Sequence, residues 1–440
     1  MTEPDIIAPP PPPPSKRLGG IMSLAMVVGT MIGSGIYLLP TTLAPYGENI
    51  AVAFALTIAG TMLLAITFAR LARRLPGGPF IYVRTAFGDT AAFLTLWSYL
   101  VSQWTAVAAV AVAVAGALGH VMPAAGSGAG LMVVALGTIA VLTVVNLTGA
   151  RSAGWVQVIA TLIKIVPLVL VVLLLAIHVG TGTPLQPLAP MPLGLSGVVA
   201  AAALMLFSLT GFEAATVVAN VTDEAGETVP RATIYGTGGT GLIYFGATMA
   251  TLLLLPSALA ATSSAPFADA IAPLLGARAG AVVAVIAAIS AFGTCNALLL
   301  LSAEVGQSLA MPGDLPALFR RTNAAGVPTG SLLVGAAVAA LLVLASNSQS
   351  FVTVYEFIAL VSTVAALILY AVCAAAEAKL RLGGGAILPV VALIYALAMF
   401  VGAGLEATIW GFGLALAGWP IRWLSRRGRE QQVMTGTTPD

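Results

Sequence analysis

The sequence predicts an all-α membrane protein with about 12 transmembrane helices, and three observations support that fold class. The first is composition: of 440 residues, 59% are hydrophobic and 8% charged, which leaves too few charges to cover a soluble protein of this length. The second is that apolar windows of about 20 residues, the length that crosses a bilayer, recur along the whole chain. The third is that basic residues are concentrated in alternate connections between those windows.

The apolar windows, taken in order, lie at 18–44, 50–71, 87–118, 130–149, 154–178, 194–220, 233–255, 280–310, 330–346, 352–376, 386–402 and 405–424. If the N-terminus is cytoplasmic, the lysines and arginines of the connections fall on the cytoplasmic side, as is usual for membrane proteins. Only Lys164 and Arg278 do not follow this rule. Arg278 follows an amphipathic stretch, 267–275, that predicts a helix packed on the outer face, whereas Lys164 lies within a span.

The order of the spans predicts a 5+5 inverted repeat, because the first and sixth spans cross the membrane in opposite directions. The first repeat covers 18–178 and the second covers 194–376, while two additional helices occupy 386–424. Residues 1–17 include six consecutive prolines and predict a disordered cytoplasmic tail. A second cytoplasmic tail is predicted for 426–440.

Glycines interrupt the first and sixth spans near their centres, at 29–35 and 208–213. A helix broken inside a membrane is stable only where the freed N–H and C=O groups meet protein, water or a ligand. A single pair of glycines would be explained equally well by close helix packing. Two breaks in symmetric places, the second followed by Glu213, favour a transport site built on broken helices 1 and 6.

The chemistry of such a site favours an amino acid as the substrate. A helix that begins at mid-membrane offers unpaired N–H groups to an anion, and one that ends there offers C=O groups to a cation. A zwitterionic amino acid has both charges a few ångströms apart, so its backbone fits the pair of breaks. Gly33 and Gly35 allow the chain to approach a ligand closely, and the Ser34 hydroxyl adds a hydrogen-bonding group.

Two ionisable residues lie inside the predicted spans. Glu213 is a candidate gate or proton carrier, and the alternative is a structural hydrogen bond between helices. Lys164 either titrates during transport or remains a permanent ammonium that replaces a sodium ion structurally. The aromatic residues Tyr99, Trp104 and Phe207 are candidates for lining a pocket, although aromatics in spans also serve packing.

Several other classes of protein find little support. The basic residues form no patch typical of nucleic-acid binding. His120 and His178 lie far apart without neighbouring metal ligands, and Cys295 and Cys373 lie in apolar segments, so we predict neither a metal site nor a cofactor. An ion channel would need a carbonyl filter or charged rings, and an enzyme would need a catalytic constellation, which the sequence does not contain.

Four segments of the chain resemble the amino acid permeases of the amino acid–polyamine–organocation superfamily. The resemblance covers essentially the predicted transmembrane domain, 18–425, and is nearest to the basic amino acid/polyamine antiporter branch that includes the arginine/agmatine antiporter. The segments are Gly29 to Ile36, Pro76 to Tyr82 with Phe87 and Gly88, Ser208 to Glu213, and Val229 to Ile234.

The resemblance implies roles for individual residues. Ser34 and Gly35 would bind the substrate carboxylate, and the carbonyls of Met31, Phe207 and Thr210 would bind its amine. Glu213 matches a position associated with gating and proton sensing. Lys164 matches a lysine that several permeases have in the fifth helix, near the first and eighth helices.

Differences from the arginine/agmatine antiporter concern the substrate side chain. Phe207 and Leu298 replace tryptophans, and Val107 aligns with an asparagine. Losing two indole faces and a polar partner favours neutral amino acids, with a basic amino acid/polyamine antiporter as the alternative.

The mechanism implied is secondary active transport by alternating access, either as an exchanger or driven by protons; sodium coupling is disfavoured because Lys164 would occupy the site. We expect an inner-membrane protein with both termini cytoplasmic, surrounded by lipid. The oligomeric state, including a homodimer, stays open.

Overall fold

A computed structural model describes residues 19–75, 78–149, 154–217, 224–345 and 350–435. In that part of the chain the regular structure is entirely helical, as the hydropathy pattern predicts. The predicted tail at 1–17 and the last five residues, 436–440, lie outside the described residues. So do Pro76 and Gly77 of the second segment that resembles the permeases.

The helices of the first half run up to Gly180. They are α1 (Gly20–Met31), α2 (Ser34–Leu43), α3 (Asn49–Arg74), α4 (Pro79–Phe87), α5 (Asp89–Gly119), α6 (Gly128–Leu147) and α7 (Gly154–Gly180).

The helices of the second half follow an extended connection. They are α8 (Leu195–Leu209), α9 (Ala214–Val217), α10 (Ala225–Leu254), α11 (Ser257–Ala260), α12 (Pro266–Leu275), α13 (Ala277–Ala310), α14 (Thr329–Ala345) and α15 (Phe351–Leu380). Three C-terminal helices complete the chain: α16 (Ile387–Gly402), α17 (Leu405–Leu416) and α18 (Gly418–Thr435).

Eight of the described helical segments are long and apolar enough to cross a membrane, counting α1 and α2 together. Four predicted spans correspond to shorter or bent helices. The sixth contains the 15 residues of α8, the ninth is α14, and the last two meet at a bend of 116° between Ile387–Gly402 and Leu405–Arg427. The architecture is that of a multi-pass membrane transporter, with both interruptions in the spans where the glycines predict them.

Two elements differ from what hydropathy indicates. α4 is a separate nine-residue helix in a connection that has no apolar window of membrane length. α18 continues to Thr435, so part of the predicted tail at 426–440 is helical. α18 is held to the connection after α13, because the buried carboxylate of Asp314 accepts hydrogen bonds from Arg422 Nε at 3.0 Å and Arg426 Nε at 2.6 Å.

α5 is the central helix of the bundle. Its apolar segment is fully buried, and it packs against α13, α14 and α15 as well as α6. In contrast, α6 and α7 expose large aliphatic side chains, among them Val133, Val144, Ile159, Leu162 and Leu173. A buried polar centre surrounded by exposed aliphatic groups is the arrangement that a lipid environment favours.

Candidate functional site

The two helix breaks lie against each other at the centre of the bundle. Ile32 and Gly33 leave the helical conformation between α1 and α2, while Thr210 is extended and Gly211 has a φ of 104° after α8. The Thr30 hydroxyl oxygen lies 3.1 Å from the Gly211 carbonyl oxygen, and its single proton has nearer acceptors in the carbonyls of Met26 at 2.7 Å and Val27 at 2.9 Å. Glycine is required at 211 because φ is positive there and the backbone of Thr30 and Met31 lies alongside.

The start of α2 offers free backbone N–H groups to the site. Gly33, the residue before α2, provides no side-chain cap, so the first N–H groups of the helix have no partner within it. The Ser34 hydroxyl is buried and has no hydrogen-bond partner among the described residues. These donors suit a carboxylate, because the positive end of the helix dipole adds to them.

The carbonyls that the resemblance assigns to the substrate amine are partly engaged. Met31 O accepts from Gly33 N at 2.8 Å and from the Tyr244 hydroxyl at 2.6 Å. Phe207 O also accepts two hydrogen bonds, from the Thr210 hydroxyl at 2.7 Å and from Thr210 N at 3.4 Å. Since a carbonyl has two lone pairs, Met31 O has no capacity left in this conformation.

Glu213 lies just after the second break and is bound by groups from three elements. Its Oε1 accepts a hydrogen bond from the Tyr99 hydroxyl of α5 at 3.0 Å. Its Oε2 accepts from the Tyr370 hydroxyl of α15 at 3.0 Å and from Gly211 N at 3.1 Å. The side chain therefore connects the second break to two scaffold helices.

Lys164 connects α7 to the first break from the other side. Its Nζ donates to Gly29 O at 3.1 Å and to the Thr294 hydroxyl at 3.2 Å. The Tyr37 hydroxyl donates to the Lys164 carbonyl at 2.7 Å, which also fixes the backbone of α7 against α2. An ammonium in this position satisfies a carbonyl that the broken helix leaves without a partner.

A cavity of about 80 Å³ lies between the breaks and the central helices. Seven of the nine predicted site residues line it, which places the predicted substrate and gating groups together. They are Met31, Ser34, Gly35, Phe207, Thr210, Glu213 and Leu298. Lys164 lies behind Thr294, which itself faces the cavity.

Val107 is the predicted site residue that the structure places elsewhere. It is fully buried on the face of α5 toward α13, where its carbonyl accepts a weak hydrogen bond from Cys295 Sγ at 3.8 Å. Gln103, Ala106 and Val110 form the face of α5 that lines the cavity. The alignment with an asparagine therefore does not identify a pocket residue.

The two ends of the bundle are packed differently. Toward α12 the space between Tyr37, Phe267 and their neighbours is only about 10 Å³. Toward α4 a vestibule of about 330 Å³ is lined by Phe80, Glu304 and Ser308. Tyr99 and Leu301 line both this vestibule and the central cavity, so they form the boundary between the two.

The sequence analysis does not single out six polar residues at the site: Ser102, Gln103, Tyr244, Thr294, Ser362 and Tyr370. Gln103 has the clearest sequence signal, because an amide is rare in an apolar span and usually faces a protein interior or cavity. A lone threonine or tyrosine in a span gives no comparable signal.

Comparison with known proteins identifies relatives over most of the chain. Residues 18–383 match the family model described as amino acid permease. A Bacillus subtilis (strain 168) protein named arginine/ornithine antiporter is 29% identical over 404 residues, covering 84% of this chain and 86% of the relative. The cadaverine/lysine antiporter of Escherichia coli (strain K12) is 28% identical over 351 residues, or 76% of each chain. The putrescine transporter PotE of the same strain is 26% identical, covering 92% of this chain and 95% of the relative.

Proposed function

Because this chain belongs to the amino acid permease family, we propose that it is an antiporter that exchanges basic amino acids and related amines across a membrane. The names of the three relatives support this reading, since arginine, ornithine, lysine, cadaverine and putrescine all have a cationic nitrogen at the end of an aliphatic stem. They favour it over the neutral amino acids expected from the loss of the two tryptophans.

One observation in the site carries the proposal: Glu213 is the only charged side chain among the described residues that line the cavity. A buried carboxylate with hydroxyl donors but no cationic partner attracts a cation. In our proposal the substrate carboxylate binds at the start of α2. The cationic end of the substrate lies toward Glu213, and the aliphatic stem packs on Phe207 and Leu298.

The lining itself supports a second candidate, exchange of neutral amino acids. Ala106, Val110, Leu298 and Leu301 provide only apolar contacts. The three hydrogen bonds already made to Glu213 satisfy much of its capacity to accept others. A neutral aliphatic side chain would need no further polar partner.

Exchange in proteoliposomes tests the proposal. We expect labelled lysine, ornithine, arginine and putrescine to enter vesicles preloaded with unlabelled lysine, and to enter empty vesicles much more slowly. Labelled leucine serves as the neutral comparison. Faster exchange of leucine than of any cation would support the second candidate, and uptake into empty vesicles that depends on an acidic exterior would mean proton symport.

The proposal also includes the location of the protein. We place it in the inner membrane, in contact with lipid, with both termini in the cytoplasm, on the basis of the basic residues of the connections.

A further inference from the structure

We propose that Gln103 selects substrates whose side chain ends in a nitrogen donor, by accepting a hydrogen bond from that nitrogen. This inference rests on the function proposed above. Gln103 lies on α5 at the wall of the central cavity, and only 6% of its surface is exposed. Ala106 and Val110, one and two turns further along the same face, are apolar.

The Oε1 atom of Gln103 is buried and has no hydrogen-bond partner among the described residues. A buried amide oxygen without a partner is unfavourable, and native proteins usually pair such atoms with protein, water or a ligand. Because Gln103 lines the substrate cavity, we infer that a bound substrate is the partner of this oxygen.

The neighbouring serine fixes which end of the amide is unpaired. The Ser102 hydroxyl donates its single proton to the Tyr99 carbonyl at 2.7 Å. Its 3.4 Å contact with the Gln103 amide must therefore be a bond that it accepts from Nε2. The opposite orientation of the amide would place two acceptors together, so the atom of the Gln103 amide without a partner is the oxygen.

Three other hydroxyl groups that line the cavity donate their protons elsewhere. Ser362 Oγ bonds to the Ser102 carbonyl at 2.8 Å, and the hydroxyls of Tyr99 and Tyr370 bond to Glu213. Beside Glu213 the cavity thus contains an acceptor without a partner and a carboxylate, while the hydroxyl protons of Ser362, Tyr99 and Tyr370 are committed. Such a site complements a ligand that supplies N–H donors and positive charge, which an ammonium or guanidinium group does.

Lysine and norleucine test the inference, because they share the backbone and stem and differ in the terminal ammonium. We measure inhibition of labelled ornithine exchange by each compound, in the unmodified protein and in Gln103→Leu. The leucine side chain introduced at position 103 has about the size of the glutamine side chain and lacks the hydrogen-bond acceptor. We expect the inhibition constant of lysine to rise about tenfold and that of norleucine to stay the same or fall, since an unpaired oxygen no longer opposes the apolar stem.

Asn146→Leu is the matched control. Asn146 is a buried amide on α6 whose Nδ2 bonds to Leu142 O and Asn296 Oδ1, outside the cavity lining. We expect this change to lower the amount of folded protein and to leave the ratio of the lysine and norleucine constants unchanged. An equal shift of the ratio in both variants would mean a general packing effect and would overturn the inference.

The unmodified protein separates failure of the inference from failure of the proposed function. Suppose that the unmodified protein exchanges ornithine and that Gln103→Leu has the same ratio of lysine to norleucine inhibition constants. Gln103 then faces only water, so the inference is wrong while the proposed function stands. If the unmodified protein exchanges no cationic substrate at all, the proposed function is wrong before any variant is made. Gln103→Glu provides a second measure, because added negative charge should lower the lysine constant and raise that of norleucine.

Discussion

Glu213 and Lys164 are buried charged residues near the two breaks, and they are held by different kinds of partner. Hydroxyl groups from α5 and α15 and one backbone N–H surround Glu213. A backbone carbonyl and a threonine hydroxyl surround Lys164. Glu213 lines the cavity and Lys164 does not. We therefore expect the selectivity for charged substrates to depend on Glu213, and the geometry of the broken first span to depend on Lys164.

Replacing Glu213 with Gln should reduce exchange of cationic substrates by about tenfold or more, because a hydrogen bond to a charged group contributes about 1.5–3 kcal/mol. Gln has nearly the same shape, so the protein should still insert and fold. Initial rates of lysine exchange in proteoliposomes, normalised to the amount of protein, measure the effect. Glu406→Gln is the control, since Glu406 is exposed at the start of α17. Unchanged lysine exchange in Glu213→Gln would exclude the carboxylate as a binding or gating group.

Replacing Lys164 with Met should impair exchange of every substrate to a similar degree. The Gly29 carbonyl would lose its donor inside the membrane, where an unsatisfied group is costly. Thr294→Val removes only one of the two hydrogen bonds that Lys164 donates, so it should lower the exchange rates only a few-fold. Exchange rates for lysine and leucine, compared with thermal unfolding in detergent, measure both variants. A loss confined to cationic substrates would instead place Lys164 in the substrate site.

At the scale of helices, the broken spans depend on close contact between α2 and α8. A Cβ atom built on Gly35 would lie 2.6 Å from Ser208 Oγ and 2.8 Å from Ser208 Cα. Real Cβ atoms do not approach a backbone atom so closely, so one of the two helices would have to move. The glycines of this site therefore fix the distance between its halves as well as the course of the chain.

Gly35→Ala should accordingly abolish exchange or reduce it by at least about tenfold, since overpacking a well-packed contact costs about 1–3 kcal/mol. Gly238→Ala on α10 is the matched control, because its Cβ would meet nothing nearer than Met62 Sδ at 3.6 Å. Exchange and thermal unfolding of both variants are measured side by side. Equal activity of the two variants would mean that α2 and α8 separate easily, contrary to the close contact between Gly35 and Ser208.

How much of this structure the sequence predicts depends on the signal that each element leaves. Membrane-length apolar windows and glycines predict the long helices and both breaks, because the bilayer restricts a spanning segment to few conformations. α4 has no such signal, since a nine-residue helix in a connection is not required to be apolar. Alignment alone places Val107 in the pocket, and a shift of one residue turns a helical side chain by about 100°. The bond from Tyr244 to Met31 O joins residues that are distant in the chain and could not be predicted from sequence pattern.

For the molecule as a whole, the three cavities describe one state of a transport cycle. The narrow space toward α12 and the wide vestibule toward α4 indicate a conformation closed at the α12 end. At the α12 end, Asp269 pairs with His120 at 3.4 Å and accepts a hydrogen bond from Ser263, whose carbonyl binds the Thr41 hydroxyl of α2 at 2.8 Å. Opening that end requires these contacts between α12, α5 and α2 to separate.

The predicted sidedness of the membrane can be tested with single cysteines. Both native cysteines, Cys295 and Cys373, are fully buried, so the unmodified protein should give a low background with a membrane-impermeant maleimide. Thr183 and Thr322 are exposed in connections on the predicted outer and cytoplasmic sides. We expect Thr183→Cys to be labelled in intact cells and Thr322→Cys only after the cells are permeabilised.

This experiment also tests the broken sixth span, because three predicted crossings separate positions 183 and 322. At about 1.5 Å per residue, the 15 residues of α8 reach only about 22 Å, less than the roughly 30 Å of a bilayer core. The crossing is therefore complete only if the break and the residues after it continue through the membrane. Labelling of both cysteines from outside would mean that α8 re-enters on the side where it began, and the inverted repeat would be wrong. Labelling of Thr322→Cys alone in intact cells would keep the repeat and reverse its orientation.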